Sequence, residues 1–404
     1  MCIRDSFKTA ESTFRDFEAY YPSDYLGWFY RARPLMMMGR TEEAIAALKQ
    51  AATLFPSGMA AQANIARYDL ILGNFEETSK WIKHLRDAGY EEDADLVEGE
   101  SDFLHGRYKE AQARFTKLIE AKDPQDPEKP KNALYLSYGY SLRARLFAEI
   151  GQYREALKDL KDGVDADLKT GDTSHRADKL LDQAYISLKR REYDACLQGV
   201  RSSLDLDRSL QRSLAAGTLL GQAAYETAGA TKAKFAAELH AIEMQIPPGH
   251  FKPFSDIVRA HLRGEVLLAE AKWKPALEEF EKADQLEAPT KDKEYLARGL
   301  LAAAQHTTDP AAVSRASEQA LTAYSVLARK PGLVWQWSID CAPGLFSDET
   351  FSYVREALRS GKVDPRAEAM LNEYRKVRAN ADAGIHDVAE AEALASSRVF
   401  TKQK

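Results

Sequence analysis

The sequence predicts an all-α fold: a right-handed superhelical solenoid of about seven or eight stacked helix pairs with a helical cap at its C-terminal end. Three observations carry that expectation. The 404 residues hold only 22 glycines and 15 prolines, below the roughly 12 per cent that the two contribute to an average protein. Valine is so scarce that Val97 is the only one before Val164, whereas the strong helix formers Ala, Leu, Glu and Lys are plentiful. The phrase Gly39-Arg40-Thr41-Glu42-Glu43-Ala44 returns in pattern as Gly73-Asn74-Phe75-Glu76-Glu77-Thr78, 34 residues later. A fixed period of that length marks a helical-repeat array.

The same turn-then-helix phrase recurs at Gly106 to Ala111, Gly151 to Ala156, Arg191 to Cys196 and Ala271 to Ala276. Before it lies an apolar stretch of helical period, such as Tyr25 to Met38 or Tyr138 to Ile150. After it the helix continues with Leu48 and Ala51, Phe115 and Leu118, or Phe280 and Ala283, spaced by three. Helix pairs are therefore expected at about 24–56, 59–88, 93–122, 133–167, 175–207, 212–245, 255–288 and 293–329, in an array spanning 7–329. Prolines break the pattern at 123–131 and 247–253. Each break reads as a longer turn between stacked pairs, or alternatively as a subdomain boundary. In the eighth pair Asp309 caps a helix opened by Pro310. Beyond Lys330 the period fails. Pro331 to Phe346, with Trp335 and Trp337, is expected to cover the last repeat. Ser347 opens a helix to Gly361, Asp364-Pro365 opens another to about Asn380, and the tail from His386 reads as a frayed helix. Residues 330–404 thus form the cap that a solenoid needs over its last apolar face.

Two units are especially complete: Ala32, Gly39, Ala44, Leu48, Ala51 and Pro56, and again Gly264, Ala271, Ala276, Phe280, Ala283 and Pro289. This pattern resembles the tetratricopeptide repeat (TPR) family in arrays of bacterial type. Small residues let two antiparallel helices approach, and larger ones fill the groove toward the next pair. Thr78 and Cys196 depart from the usual alanine, Gly163 and Ser203 loosen their units, and Gly229 to Gln245 matches poorly. The resemblance implies a non-enzymatic interaction scaffold in which the first helix of each pair lines a concave groove for an extended peptide or helix. It equally suits a C-terminal regulatory array of a larger bacterial signalling protein, a kinase, cyclase or transcriptional regulator, whose effector lies upstream.

Other functions find little support. A net charge of −6 supplies no basic field for nucleic acid. The longest stretch without charge, Gln50 to Ala66, is broken by Pro56-Ser57-Gly58, so no membrane span is expected. The opening Met1-Cys2-Ile3-Arg4-Asp5-Ser6 matches an in-frame translation of a common sequencing adapter, ATGTGTATAAGAGACAG, and is expected to be an artefact ahead of the natural sequence. Cys196 and Cys341 are then too few for a disulfide framework, which favours a reducing, cytoplasmic setting. The eight histidines are dispersed without a His-Glu-x-x-His pair. No Gly-x-Ser-x-Gly elbow, phosphate-binding loop or dinucleotide fingerprint occurs. The acidic run Glu91 to Asp95 suits a helix N-terminus, and Asp165 to Lys169 puts lysine where a calcium loop needs a ligand. Neither metal nor cofactor nor catalysis is expected.

The candidate binding residues follow from the turn. Six residues before it stand Arg33, Arg67, Glu100 and Arg145. In the resembled arrays this position faces the groove, where a guanidinium can grip carboxylates, favouring an acidic peptide. Phe29, Met36 and Met37 would add an adaptable apolar floor. The plainer reading pairs these arginines with local acids and places the methionines in the helix–helix core.

Overall fold

The computed structural model describes residues 7–38, 40–126, 129–246, 254–287, 302, 351, 354–355 and 365–396. Among these residues a first helix, α1 (Phe7–Tyr20), precedes seven pairs. The pairs are α2 (Tyr25–Met37) with α3 (Thr41–Leu54), α4 (Met59–Ile71) with α5 (Phe75–Asp87), α6 (Glu91–Leu104) with α7 (Tyr108–Glu120), and α8 (Ala133–Glu149) with α9 (Tyr153–Thr170). They continue with α10 (Thr173–Lys189) and α11 (Tyr193–Leu206), α12 (Leu210–Glu226) and α13 (Gly229–Gln245), and α14 (Phe254–Ala269) and α15 (Trp273–Glu287). Two C-terminal helices follow, α16 (Pro365–Val377) and α17 (His386–Ser396). There is no named strand among the described residues. The expected pair at 293–329, the loop at 331–346, the helix from Ser347 and the second connector lie outside the described residues, apart from isolated positions.

One hydrogen bond closes the turn in pair after pair. The amide ahead of the second helix donates back five residues: Asn74 to the carbonyl of Asp69 at 2.8 Å, Arg107 to Asp102 at 2.8 Å, Gln152 to Phe147 at 2.7 Å and Glu192 to Ser187 at 2.8 Å. This is the bond that ends a helix through one left-handed residue. Glycine fills that place at Gly73, Gly106 and Gly151, with φ between 71° and 80°. Arg191 and Ala271 fill it with side chains, at φ 61° and 59°.

The core lies between the helices of each pair and between successive pairs. Ala44, Ala111, Ala156, Cys196 and Ala276, at the same place after the turn in their pairs, are completely buried. Burial also pushes the Cys196 thiol up to about 12, so it behaves as a small apolar residue. The first helices pack directly on one another, α4 on α6, α6 on α8, α8 on α10, α10 on α12 and α12 on α14. They make the inner layer, and the second helices the outer one. On α12, Gly217 and Gly221 admit α14 so closely that an added Cβ would meet Leu262 at 2.2 Å and Glu265 at 2.3 Å. At the first connector the Asp123 amide donates to the Lys129 carbonyl and the Lys131 amide to that of Ala121, while α7 and α8 pack across it.

Candidate functional site

The expected groove residues come from the inner layer, but they do not form one set. Arg33 is exposed on α2. Arg67 on α4 grips Glu100 on α6 bidentately, at 2.8 and 3.0 Å, and Glu100 is almost wholly buried. Arg145 on α8 is itself buried and reaches Asp182 on α10 at 3.1 and 3.4 Å. Two of the three guanidinium groups thus tie one first helix to the next. Met36 is buried in the core of the first two pairs and Phe29 packs against that core half-buried. The Met37 side chain lies outside what the structure describes. Around Arg33, Leu26 and Tyr30 are exposed, so the open part of this face is Arg33 with an apolar margin.

Toward the C-terminal half the inner layer becomes ionic and buried. Lys179 is fully buried and donates to Asp167 at 2.7 Å and to Ser137 at 2.8 Å. Gly163 makes room for it, since a Cβ there would stand 2.5 Å from the Lys179 chain. Burial pulls the Lys179 ammonium below its ordinary range, opposed by Asp167. Beyond it Arg212 bonds Asp178 and Asp207.

The C-terminal helices lie along the edge where first helices end and second helices begin. Arg378 is buried between the rings of Tyr374 and Tyr153, with its carbon 5.2 and 5.6 Å from their centroids, and donates to the Tyr153 hydroxyl at 2.9 Å. The Asp382 amide donates to the Gly151 carbonyl at 2.9 Å, and the Asp382 carboxylate accepts from the Arg154 amide at 2.9 Å. That carboxylate caps α9, whose own N-cap residue Gln152 makes no side-chain cap. Ile385 enters the main core. Asp387 then takes Lys189 at 3.0 Å, and Arg355 takes Glu226 at 2.8 Å. The tail from His386 is accordingly docked, because Asp387 and Ala391 are buried against the array.

Beside α17 opens a cleft of about 380 Å³ lined by Lys189, Tyr225, Glu226, Trp273, Arg355 and Asp387 among others. Burial would raise both acids, but Arg355 and Lys189 outweigh it and hold Glu226 and Asp387 below the ordinary carboxylate range. His386, Asp387 and Glu390 bring their ligand atoms within 4.8 Å of one another. Asp387 already faces Lys189 and Glu390 faces Arg355, so side-chain cations compensate these acids. Nothing in the sequence periodicity pointed to this cluster. Its members come from helix ends and from a segment outside the repeat.

No protein-family profile matches the chain. No curated protein matches it. Among solved structures it is similar to the TPR domain of P58(IPK), at 14% identity, covering 98% of this chain and 95% of that one with a TM-score of 0.24. It is also similar to yeast Tom70, at 12% identity, 97% and 93% coverage and a TM-score of 0.41. A third is the human IFIT1 dimer with m7Gppp-AAAA, at 14% identity, 98% and 96% coverage and a TM-score of 0.30. The packing described above makes this chain an α-solenoid of TPR-like helix pairs. No described helix is long and apolar enough to cross a membrane.

Proposed function

We propose that the chain is a protein-interaction scaffold without catalytic chemistry, which holds a helix or extended peptide against its inner layer. The supporting observation is that the array already holds a helix of its own. Segment 378–390 is gripped by an ion pair, a helix cap and one apolar side chain placed into the core. A surface that fastens α17 in this way is chemically suited to fastening helices. Its ionic partners on α17 are acids, which fits an acidic ligand.

The open stretch of the inner layer is at the N-terminal end, where α2 exposes Arg33 and Leu26. Arg67 and Arg145 spend their hydrogen bonds on Glu100 and Asp182, so the reading rests on Arg33 rather than on a row of arginines. The test is capture by the tagged chain from a lysate of its source, compared with an Arg33→Glu variant. Recovery of a protein lost several-fold in the variant, at an unchanged melting temperature, is expected. Equal recovery by both chains would overturn the assignment of this face.

A further inference from the structure

Helix α1 repeats the second helix of a pair, residue by residue. Ala10, Phe14, Phe17 and Pro22 stand 34 residues ahead of Ala44, Leu48, Ala51 and Pro56. The links that follow agree as well. Tyr21 bonds to the Phe17 carbonyl and Asp24 to the Tyr21 carbonyl, as Phe55 bonds to Ala51 and Gly58 to Phe55. Phe17 packs where the next pair's first helix has Gly27, whose added Cβ would lie 2.8 Å away, just as Leu118 and Ile119 pack where α8 has Gly139.

One neighbour is lacking among the described residues. In a complete pair the central side chain of the second helix is pressed against a small residue of the first. Gly99 lies so near Phe115, and Gly264 so near Phe280, that a Cβ would come within 2.6 and 2.7 Å. Leu48, Phe115 and Phe280 are consequently buried to 1% exposure or less. Phe14, the equivalent, is only half-buried. It stacks on Tyr30, with centroids 5.8 Å apart, and Tyr30 is itself 51% exposed. Phe17 is likewise half-buried where Ala51 and Leu118 are buried.

We propose that α1 is the second helix of a further pair, and that its Phe14–Phe17 face is the docking site of that pair's first helix. The occupant is an amphipathic helix antiparallel to α1, with Ala or Gly where it crosses Phe14. It belongs on the same chain ahead of α1, because each complete pair joins its helices through a short turn, Met38–Arg40, Leu72–Asn74 and His105–Arg107 among them. A partner that merely covered apolar surface would require neither this polarity nor this register.

The experiment extends the full chain by a copy of Tyr25–Arg40 placed directly ahead of Phe7, the same place that Tyr25–Arg40 holds ahead of Thr41. The copy supplies alanine opposite Phe14, as Ala32 does within its own pair. The expected result is a melting temperature higher by ~3 °C or more, with amide exchange across Ala10–Phe17 slowed at least tenfold. A second extension carrying tryptophan in place of that alanine should lose both effects. Absence of both effects in the first extension overturns the proposal, and so does an equal gain from both. Sedimentation of the original chain as a dimer that Phe14→Glu dissociates also overturns it, since the occupant would then be a second copy. None of these readouts involves Arg33 or partner capture, so this proposal and the scaffold reading fail separately.

Discussion

At the position six residues before the turn, α2 holds Arg33 out to solvent, whereas α8 buries Arg145 against Asp182. The contrast extends over the two halves of the array. Pairs α2/α3 and α4/α5 build their cores mainly from alanine, leucine, isoleucine and methionine with Tyr68, and Arg31 of α2 and Arg67 of α4 add pairs with buried acids. Pairs from α8/α9 to α12/α13 enclose ion pairs and carry α16 and α17 along their edge. One repeat pattern therefore serves two purposes. At the N-terminal end it leaves Arg33 on an open face, and toward the C-terminal end the chain covers the turn edge with its own C-terminal segment.

The largest expected effect breaks the ionic half at its centre. Lys179→Met removes the charge paired with Asp167 at 2.7 Å, in a site where both side chains are almost fully buried. Loss of one partner of a buried pair costs about 3–5 kcal/mol, and replacing both by apolar groups restores much of it. Urea denaturation should show that loss for Lys179→Met and a substantial recovery for Lys179→Met with Asp167→Leu. A cost below about 1 kcal/mol for the single variant would show that this half is not held by its buried charges.

Acid should act next, and first on the covered edge. Glu226 and Asp387 are held below the ordinary carboxylate values of 4.5 and 3.8 by Arg355 and Lys189. Their stabilisation is fully present above those values and is lost as pH falls through the lowered folded values. As pH drops from about 5 to 2, segment 378–390 should come away first, seen as faster amide exchange and proteolysis there. Exchange in α3 to α5 should change later. Lys189→Met should weaken the same segment at neutral pH, since it removes the cation hydrogen-bonded to Asp387. Simultaneous loss of both halves would mean that the edge and the array unfold as one unit.

The repeat was legible because close packing writes itself into sequence: a small residue must recur at each crossing, and Ala44, Ala111, Ala156 and Ala276 do so at helical spacing from a turn. The same pattern runs through Ala10, Phe14, Phe17 and Pro22, but a search for complete pairs, which begin at about residue 24, passes over α1. The pairing of Arg67 with Glu100 was visible only as one of two readings, since inward geometry does not reveal whether a neighbour is near enough to pair. The docking of α17 on Lys189 was not legible. Residues 189 and 387 are joined by no period, and an Ala- and Glu-rich tail looks alike whether it lies free or packed.

The smallest effect concerns the turns, where the two halves also differ. Gly73, Gly106 and Gly151 hold the left-handed position in α4/α5, α6/α7 and α8/α9, but Arg191 and Ala271 hold it later. A residue with a Cβ costs about 1–2 kcal/mol in that conformation, partly offset because glycine has more freedom to lose on folding. Ala271→Gly should therefore stabilise by about 0.5–1 kcal/mol. The control runs in the opposite direction. Around Gly73 nothing lies within 4 Å of an added Cβ, so Gly73→Ala should cost about the same amount through its φ of 77° alone. Gly151 is no such control, because its Cβ would stand 2.5 Å from Ala381. Gly151→Ala should exceed the Gly73 cost by whatever the displaced C-terminal segment contributes. If the two glycine variants proved equal in thermal melts, the contact of Ala381 with the turn would contribute nothing to stability, and the difference between the covered and the open edge would lie in its ion pairs alone.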